Sequence, residues 1–151
     1  MKINYPAVIV AAIIHWVLGG VWYGIFSSVF AGFIGDEKIK ELERRSEAKA
    51  FILAFVCSLI VAYLLALFLH FAKSRRLVDG LKVVFLLWLG FIAATQLLTV
   101  LFEARNPGLY LLNVGYQLVA CALAAVILLI WQPRQTVESL NSVRAQVSTE
   151  V

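Results

Sequence analysis

The sequence predicts an all-α integral membrane protein, a bundle of four antiparallel transmembrane helices connected up and down. Two observations predict it. Hydrophobic residues make up 62% of the 151 residues, whereas a soluble domain has about 45–50%. The 13 basic and 9 acidic residues are clustered, and they leave four charge-free runs at 3–35, 50–72, 83–102 and 106–133. Each run is long enough for the ~20 helical residues that cross a hydrocarbon core of about 30 Å.

We expect the four spans at about 6–26, 48–71, 81–102 and 107–131. Pro6 suits the first turn of a helix, where its missing N–H is not needed. Asn106 and Pro107 are typical of an N-cap followed by a first-turn proline, and they predict where the fourth span begins. Because the third and fourth spans are joined by a short turn, they must be antiparallel neighbours.

These spans form one membrane domain over residues 1–133. The first loop, Asp36 to Lys49, is charged and rich in helix formers, and we interpret it as a solvated helical extension of the second span. Residues 134–151 form a cytoplasmic tail that is either weakly amphipathic, lying on the membrane surface, or disordered.

The basic residues predict the orientation. The side that holds both termini carries seven Lys and Arg and the other side carries six, which is a small difference. The loop at 73–82 is short and almost purely basic, and this favours the cytoplasm. We therefore predict that both termini are cytoplasmic. The net charge of +4 lies in short loops beside the spans, where it suits anionic lipid rather than nucleic acid.

Small residues recur at every fourth position of the first two spans, which permits close approach of helices in lipid. The predicted helix-packing residues are Gly20, Gly24, Ala54, Ser58 and Ala62. Ser28 and Gly32 extend the glycine pair. These stripes suit either a dimer seam or packing inside one bundle, and we favour the second because four helices must pack on one another in any case.

Polar side chains inside spans are costly and therefore informative. Those on helices 1, 3 and 4, with the charged pair at the 3–4 turn, form a hypothetical ligand-binding stripe: His15, Trp22, Tyr23, Gln96, Thr99, Glu103, Arg105, Asn113, Tyr116 and Gln117. They suit either a small polar cavity between helices 1, 3 and 4 that opens toward the turn, or hydrogen bonds that only hold the bundle together.

Four segments are similar to a family of small bacterial four-span membrane proteins known as domain of unknown function 1761: Leu18–Tyr23, Leu87–Phe91, Leu101–Arg105 and Asn113–Tyr116. The resemblance covers about residues 4–131. It implies a bacterial inner-membrane location and no activity. It also implies that a site, if the family has one, lies at Trp22, Tyr23, Glu103, Arg105, Asn113 and Tyr116.

The pattern favours a non-catalytic structural or accessory component of the inner membrane. Its predicted partners are the lipid bilayer and either a second copy or an unidentified membrane protein. The alternative is a small oligomeric transporter or channel for a small solute. The spans contain no HxxxH, no paired carboxylates and no Cys–His set. We therefore expect no enzyme, catalytic residue, metal or cofactor.

Overall fold

The computed structural model describes residues 3–44, 47–74 and 76–131, and of residues 43 and 47 it describes the backbone alone. The predicted tail at 134–151 lies outside the described residues. The helices are α1 (Tyr5–Ile25), α2 (Ser27–Ile34), α3 (Asp36–Glu43), α4 (Glu47–Phe71), α5 (Leu77–Leu87), α6 (Ala94–Glu103) and α7 (Pro107–Ile130). A π-helical segment, Trp88–Ala93, joins α5 to α6.

Within the described part of the chain, four helices are long and apolar enough to cross a membrane: Tyr5–Ile25, Ala48–Phe71, Leu77–Glu103 and Pro107–Ile130. They pack together, so the predicted all-α four-span fold is confirmed. The third span begins at Leu77 rather than near residue 81. The charged residues Asp79 and Lys82 lie within its first turns and not in the loop before it. These four candidate transmembrane helices identify a multi-pass membrane protein whose outer surface contacts lipid.

The first and last spans begin at similar caps. Asn4 Oδ1 accepts a hydrogen bond from the Ala7 amide at 3.3 Å, and Asn106 Oδ1 accepts one from the Gly108 amide at 2.8 Å. A proline follows each cap in the first turn. The predicted start of the fourth span at Asn106 and Pro107 is therefore confirmed.

The first span does not end in a simple loop. The helix breaks at Phe26 and continues as α2, and Gly35 then separates α2 from α3 with φ of 86°. A positive φ of this size favours glycine, which has no Cβ to clash. Helix α3 is a charged extension with Asp36 and Glu37 in its first turn. Acidic side chains at this position stabilise a helix because they interact favourably with the positive end of its dipole. Residues 45 and 46, which link it to the second span, lie outside the described residues.

The core of the bundle lies between the first and fourth spans. Helix α1 packs mainly on α7 and α4, and α7 also contacts α5 and α6. Six alanines of these two spans are at most 1% exposed: Ala7, Ala11, Ala12, Ala120, Ala124 and Ala125. Because alanine lets backbones approach closely, it is the residue type that packs helices where lipid removes most of the hydrophobic driving force.

The outer surface of the spans is apolar. Large side chains such as Ile52, Leu86 and Phe91 are about two-thirds exposed or more in the single chain, at 67%, 66% and 72%. In a membrane such side chains face lipid tails rather than water. The third span contributes least to the core, so much of its surface is available to lipid or to another helix.

Candidate functional site

A polar cavity lies between α6 and α7, beside the turn that joins the third and fourth spans. We call it the turn cavity, and its volume is about 250 Å³. It is lined by Gln96, Thr99, Arg105, Leu109, Tyr110 and Asn113. Four of these belong to the predicted stripe, namely Gln96, Thr99, Arg105 and Asn113. The structure therefore brings them together, while ligand binding by them stays a prediction.

The turn cavity is lined by fewer spans than expected. We expected it between helices 1, 3 and 4, but the first span contributes none of the lining residues that the structure describes. Helix α1 packs on α4 and α7, whereas α6 packs on α7. The fourth span therefore lies between α1 and the cavity. The first span reaches the cavity through one bond, in which the Tyr23 hydroxyl donates to Asn113 Oδ1 at 2.8 Å.

The π-helical segment lies directly before the half of the third span that lines the turn cavity. Trp88 Nε1 donates to the Val114 carbonyl at 2.9 Å, at the start of the segment. The Tyr110 hydroxyl donates to the Ala93 carbonyl at 3.2 Å, at its end. Both bonds cross from the third span to the fourth, so the irregular turn is held at each end. Single π turns inside α-helices occur frequently at functional sites.

The side chains of the turn cavity present both donors and acceptors to its interior. Because Asn113 Oδ1 accepts from Tyr23, the amide of Asn113 turns its N–H₂ group away from that bond. Thr99 Oγ1 donates to the Gln96 carbonyl at 2.7 Å, which leaves its oxygen lone pairs as acceptors. Within the described residues, the Gln96 side-chain amide forms no hydrogen bond in the protein.

The turn carries a charged pair. Arg105 Nε donates to Glu103 Oε2 at 2.8 Å, and the two side chains are 57% and 54% exposed. Ala104 between them has φ of 51°, a left-handed conformation that ends α6 and brings its two neighbours together. An ion pair this exposed contributes under ~1 kcal/mol to stability. Arg105 lines the cavity and Glu103 does not.

His15 belongs to a different cluster from the one expected. Its side chain is 5% exposed, and Nδ1 lies 3.0 Å from Ser58 Oγ of the second span. Ser58 Oγ also donates to the Ala54 carbonyl at 3.0 Å, so this serine connects the histidine ring to the backbone of the second span. His15 Nε2 is buried with no hydrogen-bond partner among the described residues, and Gln117 is the polar side chain that interacts with the ring.

Tyr116 connects this cluster to the fourth span. Its ring is 8% exposed, and its hydroxyl donates to the His15 carbonyl at 3.1 Å. The rings of His15, Trp22 and Tyr23 lie around it, with centroids 5.8, 6.4 and 5.6 Å away. The predicted residues Trp22, Tyr23 and Tyr116 therefore pack the first span on the fourth, and of these Tyr23 alone contacts a residue of the turn cavity.

The predicted packing residues divide into two groups. Ser58 and Ala62 are buried, so the second-span stripe packs inside the bundle over that stretch. Ala54 is exposed. Gly20 and Gly24 are exposed too, and a Cβ built on either would meet no atom within 4 Å. The expectation that this glycine pair packs within one chain is wrong, because α1 turns its alanine face inward instead.

Sequence reasoning missed two lining residues, Leu109 and Tyr110, and the alanine core. Tyr110 is an aromatic residue near a span end, where the headgroup region alone explains such a residue, so its type does not indicate a site. Its signal was its position three residues before Asn113, on one face of the fourth span. The alanines had the same four-residue spacing as the glycines, at Ala7 and Ala11 and again at Ala120 and Ala124.

Among the described residues, no group of three or more His, Cys, Asp or Glu side chains is placed to hold a metal ion.

The model of one protein family, described as "Protein of unknown function (DUF1761)", matches residues 6–129. No curated protein and no solved structure matches the sequence.

Proposed function

The chain belongs to the DUF1761 family of proteins of unknown function, and we propose that it is a non-catalytic structural or accessory component of the bacterial inner membrane. In this proposal both termini are cytoplasmic. The protein acts by associating through the outward face of α1 with another membrane protein, of which a second copy is the first candidate.

The observation that carries this proposal is the open glycine face of the first span. Gly20 and Gly24 lie four residues apart, and no atom of the described residues lies within 4 Å of a Cβ built on either. Helices in lipid associate where small residues let backbones approach. A face of this kind that the single chain leaves uncovered supports association with another helix.

The hydrogen bonds formed by side chains within the spans support the proposal that the protein is non-catalytic. His15, Trp88, Tyr110 and Tyr116 each hold one span to another. Hydrogen bonds between spans stabilise a bundle in lipid, so these side chains have a structural role that requires no catalysis.

Native mass spectrometry from a mild detergent tests the association. We expect the wild-type chain to give a dimer, and the double variant Gly20→Leu/Gly24→Leu to give a monomer because leucine fills the face. The matched control is Gly90→Leu, since Gly90 of the third span also lies in open space; it should leave the dimer intact. A wild-type monomer, in detergent and after cross-linking in native membranes, would contradict the proposal.

The turn cavity favours a second candidate, a small oligomeric transporter or channel for a small solute. Flux of labelled solutes into liposomes that contain the purified protein tests it. We expect Thr99→Val, which removes a lining hydroxyl, to reduce flux several-fold. Thr95→Val is the control, because Thr95 lies one turn earlier, outside the lining, and bonds its own helix at the Phe91 carbonyl. Equal flux in protein-free liposomes would exclude this candidate.

A further inference from the structure

We propose that the turn cavity binds an oxyanion, a carboxylate or phosphate group carried by a small solute or by a lipid headgroup. This inference deepens the second candidate function and rests on the turn cavity being an open ligand site. It concerns binding alone, so it can hold whether or not the protein moves the ligand across the membrane.

The charge of the lining favours an anion. Among the residues that the structure describes, Arg105 is the one charged side chain that lines the turn cavity, and no carboxylate lines it. The Arg105 bond to Glu103 uses Nε. Within the described residues the two terminal guanidinium nitrogens form no hydrogen bond, so they remain for a ligand. A guanidinium suits planar carboxylate and phosphate groups because its donors form a fixed fork.

The amide of Asn113 is a second donor that is fixed in direction. Its oxygen is occupied by the Tyr23 hydroxyl at 2.8 Å, so the group that remains for the cavity is N–H₂. A donor held in this way stabilises negative charge without first reorienting. Arg105 and Asn113 therefore present N–H groups from the turn and from α7 to one space.

The other lining groups define the rest of the ligand. The hydroxyls of Thr99 and Tyr110 donate to backbone carbonyls at 2.7 and 3.2 Å, so each offers lone pairs to a hydroxyl or N–H of the ligand. Leu109 supplies one apolar wall. The volume of about 250 Å³ is below the ~300–1,000 Å³ of drug-sized sites. The ligand part that enters is therefore small, such as a short dicarboxylate or a glycerophosphate headgroup.

Titration of the full-length protein in an uncharged detergent tests the proposal. Sodium succinate and sodium phosphate are added separately at constant ionic strength, and binding is followed by the shift in melting temperature against sodium chloride. A second arm places the protein in nanodiscs of phosphatidylcholine with and without phosphatidylglycerol. A shift with the soluble anions identifies a solute site, and a shift with phosphatidylglycerol alone identifies a headgroup site.

Two variants at the turn are expected to change the affinity for the anion in opposite directions. Arg105→Gln should weaken binding about 10-fold or more, since a hydrogen bond to a charged group contributes that much. Glu103→Gln should strengthen binding several-fold, because it removes the anion that competes for the guanidinium. A merely structural ion pair would not give opposite signs. Both side chains are more than half exposed, so neither change disturbs the core.

The matched control is Arg44→Gln, which removes the same charge from an exposed residue on the same side of the membrane. It should leave the affinity unchanged within about 2-fold. Tyr23→Phe frees the Asn113 amide to rotate and should weaken binding less than Arg105→Gln does. The proposal is overturned if neither arm gives a shift beyond chloride, or if Arg105→Gln and Arg44→Gln have the same effect.

Discussion

The ring of Tyr116 lies against Gly19, so closely that a Cβ on this glycine would lie 2.9 Å from the phenol oxygen. The same oxygen bonds the His15 carbonyl one turn earlier. Gly19 is therefore the position at which the first span accommodates the buried tyrosine of the fourth.

Gly19→Ala should destabilise the protein by about 1–3 kcal/mol, the usual cost of overpacking a filled site. The new methyl group must displace the Tyr116 ring and lengthen its bond to His15. Gly90→Ala is the control, because it adds the same methyl group at a position in open space that lies outside the proposed association face. Unfolding in mixed detergent micelles measures both, and equal stability of the two variants would contradict the expected contact.

We expect the His15 ring to carry a proton on Nδ1, because Ser58 Oγ, whose own proton goes to the Ala54 carbonyl, then accepts from it. Nitrogen NMR of the labelled ring distinguishes the two tautomers directly. Ser58→Ala should shift the population toward the Nε2–H form, while His70, an exposed histidine, should show no change. A double-mutant cycle of His15→Ala and Ser58→Ala should give a coupling of about 0.6 kcal/mol, and at most ~1.7.

Deletion of Gly90 should be tolerated. A π turn holds one residue more than an α turn, so removing one residue from Trp88–Ala93 can convert it to regular helix without rotating α6. Deletion of Leu97, also lipid-exposed but in regular helix, should turn the residues after it by about 100° and move Thr99 from the turn cavity. Size-exclusion profiles and melting temperatures should show a folded first variant and a destabilised second one.

Labelling with a membrane-impermeant maleimide tests the orientation. Arg44→Cys and Arg76→Cys place thiols near opposite ends of the second span. With cytoplasmic termini, reagent added outside intact cells should label position 44 and leave position 76 unlabelled until the cells are opened. The reverse pattern would place both termini outside.

The sequence was sufficient for the number and approximate limits of the spans because charge and apolar length determine them in a membrane. Of the residues that it predicted for a polar cavity opening toward the 3–4 turn, Gln96, Thr99 and Asn113 do lie together there, since the two antiparallel spans are neighbours. These predictions depend on local features of the sequence. The cap at Asn106, for example, depends only on its own side chain and the next two residues.

The rotation of α1 about its axis could not be predicted in the same way. Both its alanine face and its glycine face are apolar and small, and lipid does not distinguish them as water would. The buried face is chosen by fit to Tyr116, a contact between residues 101 positions apart in the chain. The π turn could not be predicted from the sequence either, because Trp88–Ala93 has the composition of an ordinary transmembrane helix.

The packing of the first span on the last has a consequence for biosynthesis. At about 5–20 residues per second, the ribosome makes Tyr116 roughly 5–20 seconds after His15. Throughout that interval the nascent first span holds a histidine and the Tyr23 hydroxyl without their fourth-span partners. A chain that stalls before the last helix would keep these polar groups uncovered, and membrane proteases that recognise unassembled helices could then remove it.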